Sequence, residues 1–345
     1  MRMNERKGRM KRFACAPFFF VAIACAAADN QPSRNTEQPP AAGATAFVAI
    51  PAGKDDDLKF YLTDGRTIKG VEALRRMQQE SGLVLWLAGN QFFAMDAVVR
   101  AFQAQNAGIS VGLITLPPGL LLEAIEKGGW SYSSGTYAGR PDVYASVSLG
   151  HLQKLKRADL MEEYAVYMHN EMVLMVAKGN PKTIKGISDL ARPDVRTSMP
   201  NPVNEGIMQF YARKVLERHG LWATLSANKD CFSCQTTPNN WFTQVHHRET
   251  PERIRDGRSD TGIVWMTEVI EAQRAGMPVD FVRLPPEDSL RDAVAYAIGP
   301  MKSGPRRAAA DRYLEFLKSS VGQRAYANFG FVSASENELA LKPIP

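Results

Sequence analysis

From Leu83 onward the chain alternates short apolar runs with segments of helical period, and this alternation restricts the fold more than any other feature. "LVLWLAG" is an apolar run ended by Gly89. "NQFFAMDAVVRAFQAQNAG" follows, with Phe93, Ala97, Val98, Ala101 and Phe102 at helical spacing and Gly108 as the stop. "ISVGLITL", a turn at Pro117-Pro118-Gly119 and the helix "LLLEAIEKGG" repeat the pattern, and "PDVYASVS" is a third strand. A second unit runs the same way. "HNEMVLMVAKG" is a strand, and "NEGIMQFYARKVLERHG" is a long helix with Ile207, Phe210, Val215 and Leu216 as its buried stripe. "DTGIVWMTEVIEAQRAG" is a strand entering a helix, "DAVAYAIGP" is a late strand, and "RRAAADRYLEFLKSSVGQRAYANFGF" closes as helices. Strands alternating with helices predict an α/β protein whose ligand sites lie at the C-terminal ends of the strands.

The 345 residues exceed what two such units need, and the surplus sits in front. Residues 1–28 pair a basic start with the apolar run "FACAPFFFVAIACAAA", too short to span a bilayer, and read as a signal peptide cleaved near Ala28. A lipid anchor at Cys25 is the second reading of that leader. Either way the mature chain is expected in the periplasm. The whole chain carries 42 Lys/Arg against 36 Asp/Glu; without the leader's six bases and one acid, 36 bases face 35 acids. That near-neutral balance removes the main support for a nucleic-acid partner, and no later stretch is long and apolar enough for a membrane span. Residues 29–57, rich in Pro, Ala, Gly and polar residues, are expected to be a tether. Residues 58–82 form an N-terminal extension with a strand, an Asp64-Gly65 turn and an amphipathic helix.

The order of these marks resembles the extracellular solute-binding proteins of ABC transporters, of the periplasmic molybdate-binding type. The stretches that carry the resemblance are "LVLWLAGNQFFAMDAVVRAFQAQN", "LLEAIEKGG" with "RPDVYASVS", "NEMVLMVAKGNPKTIKGISDLARPDVRTSMPNP", "RIRDGRSDTGIVWMTEV" and "RYLEFLKSSVGQRAYANFGF". The resemblance implies a two-lobed periplasmic binding fold, each lobe a mixed, mostly parallel sheet flanked by helices, joined by two crossover strands. Lobe one would hold 83–168 and 290–333 and lobe two 169–289, with 334–345 as a tail. It further implies hinge closure around a small-molecule or ion ligand and delivery to an ABC permease. An accessory protein of the same fold that binds a partner enzyme or metal cofactor without transport is the alternative. No nucleophile, paired-carboxylate or phosphate-loop pattern points to an enzyme, and no cofactor is called for beyond a bound metal.

In oxyanion-binding relatives, helix N-termini and hydroxyls hold the ligand, and the equivalent loops here depart from that pattern. Asn90 stands where a serine is usual. Pro117 and Pro118, beside Gly119, have no N–H to donate. Asn204 and Glu205 open the third helix; Trp265 replaces a tyrosine in the fourth loop, followed by Thr267. Each also has a plain structural role: Asn90 as an N-cap, Glu205 as a first-turn acid, Trp265 as core, with Glu268 read as solvated. Together they favour a larger organic solute or a cation over a bare tetrahedral oxyanion. "CFSCQTTPNNWFTQVHHRE" adds Cys231, Cys234, His246 and His247. A disulfide between Cys231 and Cys234 is preferred in an oxidising compartment, with a metal set of Cys231, Cys234 and His246 as the other reading. Placed on a strand, adjacent histidines point to opposite sides, so one of His246 and His247 is expected to reach the ligand, with His247 the candidate.

Overall fold

The computed structural model describes residues 47–345 apart from Ser134. The leader 1–28 with Cys25, and 29–46 of the expected tether, lie outside the described residues. Among the described residues, two large mixed sheets carry the fold. The nine-stranded sheet runs in the order Val332–Ser333, Glu163–His169, Ala295–Pro300, Val143–Ser146, Leu83–Ala88, Val111–Leu116, Leu58–Tyr61, Thr67–Lys69, with Lys342–Pro343 also pairing Glu163–His169. Pairing is parallel where Leu83–Ala88 meets Val111–Leu116 and Val143–Ser146, and antiparallel elsewhere. Every residue of Leu83–Ala88 and Val111–Leu116 is buried, which is why both read as unbroken apolar runs.

The six-stranded sheet has Thr261–Trp265 between Thr197–Met199 and Met172–Ala177, with Val279–Arg283 on one edge and Asn240–Phe242 and Cys234–Thr237 on the other. The chain passes from the large sheet to the small one across Asn170-Glu171 and returns between Arg283 and Ala295. Asn170 braces the first passage, its Nδ2 donating to Thr267 Oγ1 at 3.1 Å.

Several expectations are corrected. Residues 47–57 of the expected tether are ordered: Val48–Ala49 pairs in parallel with Trp130-Ser131, and Val48 and Ile50 are buried, because Phe47-Val48-Ala49-Ile50 is apolar enough to join a sheet. The tail 334–345 is packed, with Ile344 fully buried and Glu338 accepting from His169 Nε2 at 2.9 Å. Phe210, expected in the buried stripe of its helix, is 61% exposed. Met208–Ala212 is π-helical, so the phase of the stripe slips and Phe210 rotates outward. The extension 58–82 adds a hairpin to the edge of the large sheet. It is tied to the helix Met95–Gln105 through Asp96, which accepts from Lys59 Nζ at 2.8 Å and Tyr61 Oη at 2.6 Å.

Candidate functional site

The strands Leu83–Ala88, Val111–Leu116 and Val143–Ser146 end on the same side of the large sheet, and the turns after them carry polar groups. The first is the 3-10 turn Gly89–Ala94. Gln91, fully buried, pins it from beneath: its Oε1 accepts from Tyr167 Oη and Tyr326 Oη, each at 3.0 Å. Asn90 is exposed on that turn, and its Nδ2 donates to Tyr296 Oη at 2.6 Å. Tyr296 also meets Asn170, and burial first, then the nearby Tyr211 and Glu268, hold its phenol protonated far above the usual range.

Gly119 is exposed in the first turn of Pro118–Lys127, with His151 beside it. Tyr144 Oη donates to Pro118 O at 2.8 Å, and His151 Nδ1 lies 3.0 Å from Ser146 Oγ. Burial, then Lys154, lowers the His151 pKa, which favours a neutral ring. The stretch "YASVSLGH" is legible in sequence only as the end of a strand; nothing in its spacing announces that Tyr144, Ser146 and His151 meet.

On the small sheet, Glu205 caps the entry to the helix containing the π-segment and is buried. Its Oε2 accepts from Asn201 N–H at 3.2 Å, and its Oε1 accepts from His246 N–H at 2.8 Å. The same Oε1 stands 2.8 Å from His246 Nδ1, which makes no aligned hydrogen bond. His246 Nε2 lies 3.1 Å from Glu268 Oε1 and 3.0 Å from Oε2. Burial alone would lower the His246 pKa; Glu268 and Glu205 outweigh it and push it up to about 10. Glu268, expected in solvent, is thus corrected to a nearly buried partner of His246. Burial opposes its charge, yet His246 draws its pKa below the usual value, and its Oε2 accepts the Trp265 N–H at 3.0 Å.

His246 and His247 open the helix His246–Arg255; the expected strand through them ends at Phe242. Glu249 turns the chain there, accepting from Trp241 Nε1 and from Gln244 N–H. Side chains that a strand would send apart therefore come together: the two rings stand edge-on, 5.4 Å between centroids. His247 is exposed, and burial of its packed side, ahead of Glu268 and His246, leaves its pKa lowered. His246, His247 and Glu268 each offer one ligating atom, all within 4.8 Å of one another.

The metal set of Cys231, Cys234 and His246 is corrected as well. Cys231 and Cys234 are joined in a disulfide, so neither offers a thiolate, and the His246 ring faces carboxylates. Trp265 is buried against Tyr211, 5.5 Å between rings. Thr267 is buried and bonded to Asn170, which places its hydroxyl at the passage between sheets and not with the histidines. Asn204 is exposed on its loop. A cavity of about 520 Å³ bounded by Trp86, Trp130, Tyr137, Arg140 and Arg306 lies on the side of the extension and shares no residue with this group.

Two sheets joined by two passages of the chain form a two-lobed frame. Residues 83–332 match the family described as bacterial extracellular solute-binding protein. The chain belongs to that family. Among relatives of this solute-binding protein, the molybdate-binding protein ModA of Mycobacterium tuberculosis is 21% identical over 255 residues, 74% of this chain and 85% of that one. The periplasmic molybdate-binding protein of Azotobacter vinelandii shares the fold at a TM-score of 0.54 and 17% identity, over 73% of this chain and all of that one (100%). The substrate-binding protein of an ABC transporter from Agrobacterium tumefaciens does so at 0.55 and 15%, over 81% and 84%. No helix among the described residues is long and apolar enough to cross a membrane.

Proposed function

We propose that this solute-binding protein captures a small solute where Asn90, Tyr296, Trp265 and the His246–His247–Glu268 group converge, and presents it to an ABC permease from outside the cytoplasm. The solute is not a bare tetrahedral oxyanion. One observation carries that reading: two carboxylates, Glu205 and Glu268, flank a single imidazolium, which leaves the group net negative and unfavourable to an anion. Pro117-Pro118 removes further N–H donors from the other lobe. Relatives named as molybdate-binding share the frame, while these side chains make the group in this chain net negative.

The test is thermal unfolding of the purified protein against oxyanions, divalent metals and small organic acids. A solute that binds only the folded state adds about 2.7 kcal/mol at a hundredfold excess over its Kd. A shift with a metal ion or organic solute supports the reading. A shift with molybdate or sulfate alone overturns the ligand class and leaves solute capture in place.

A further inference from the structure

We propose that the solute is a divalent transition-metal ion, held by His246 Nε2 after its proton is released to solvent, by a ring nitrogen of His247 and by the Glu268 carboxylate, with Glu205 orienting His246 from behind. The inference rests on the reading of this region as the solute site. Three features argue for it.

The first is spacing. Two ligands on a tetrahedral ion with bonds of about 2.0–2.1 Å sit about 3.3 Å apart. His246 Nε2 is already 3.0 Å and 3.1 Å from the two Glu268 oxygens, and the His247 donor lies within 4.8 Å of both partners. A small rotation of the exposed His247 ring closes the set.

The second is the back side of His246. A metal-bound histidine usually turns its other ring nitrogen to a carboxylate, which fixes the ring and raises its basicity. Glu205 Oε1 stands 2.8 Å from Nδ1, a buried nitrogen with no aligned partner in this state. Glu205 is itself held by the N–H groups of Asn201 and His246, so it is a rigid stop for the ring.

The third is ligand chemistry. Two imidazoles and one carboxylate suit zinc, copper, nickel or iron, whereas magnesium and calcium prefer all-oxygen shells. Three protein ligands leave a position for water or a small anion, and the exposed His247 marks the side from which it enters.

Isothermal titration of the full-length protein, stripped with EDTA and dialysed, tests this with zinc chloride, and with magnesium chloride as the control. One zinc per chain and no heat with magnesium are expected. His247→Ala, an exposed change that leaves the fold intact, should weaken zinc at least tenfold. Glu205→Gln should weaken it about 10–100-fold while cobalt in place of zinc keeps the same visible absorption bands, since the ligands are unchanged. Absence of zinc binding, or equal affinity in His247→Ala, overturns the metal site. If zinc fails but another probe binds and loses affinity in Trp265→Ala, only this inference falls; if no probe binds, solute capture falls too.

Discussion

Asn90 Nδ2 donates a 2.6 Å hydrogen bond to Tyr296 Oη, a hydroxyl that also meets Asn170 at the passage between the sheets. The exposed turn after the first central strand is thereby linked to the hinge. Asn90→Ala should cost about 1 kcal/mol of stability, the net worth of one hydrogen bond, and weaken the solute roughly tenfold or more. Urea unfolding and titration of the same preparation separate the two effects; unchanged affinity would remove Asn90 from the site.

The His246 pair gives a sharper contrast in stability. His246→Ala leaves Glu205 and Glu268 facing each other in a buried setting without their cation, at a cost of roughly 3–5 kcal/mol. His247→Ala, on the exposed neighbour, should stay within about 0.5 kcal/mol. Denaturant midpoints of the two variants that coincide would contradict this division of roles.

Which parts of this were legible in the sequence follows from what is local. Leu83–Ala88 and Val111–Leu116 are buried on both faces, so their composition alone announces them, and the strand-to-helix order placed the ligand loops. The placement of His246-His247 is not legible locally: "WFTQV" reads as a strand leading into the pair, and the acid that turns the chain there, Glu249, is one among many. Glu268 reads as solvated in sequence because its partner lies 22 residues upstream, a contact that periodicity cannot express. Phe210 misled for a related reason: a π-segment changes the period on which the buried stripe was counted.

The disulfide should act on stability and not on binding. Cys231 and Cys234 are three residues apart, so a loop-entropy estimate gives about 2 kcal/mol. Cys231→Ser together with Cys234→Ser should lower stability by that amount and leave solute affinity unchanged. A loss of affinity would return the cysteines to the site.

Acid should loosen the C-terminal segment. Burial alone would raise the Glu338 pKa, but the Ser335 N–H and hydroxyl and His169 hold it below the usual value. A folded pKa depressed below the unfolded one means stability that is full above about pH 4.3 and is lost as pH falls through the folded value. Glu338→Gln should be less stable than the parent at pH 7 and show a shallower fall between about pH 5 and pH 3. Parallel curves would place the acid sensitivity elsewhere.

The most direct test is a titration of the parent protein and of Trp265→Ala with zinc chloride, sodium molybdate and sodium citrate under one set of conditions. Solute capture between the two sheets predicts one site per chain for at least one of these, and for molybdate or citrate a loss of at least tenfold when Trp265, packed 5.5 Å from Tyr211, is removed. Binding of none, or binding of molybdate or citrate that Trp265→Ala leaves untouched, would contradict it.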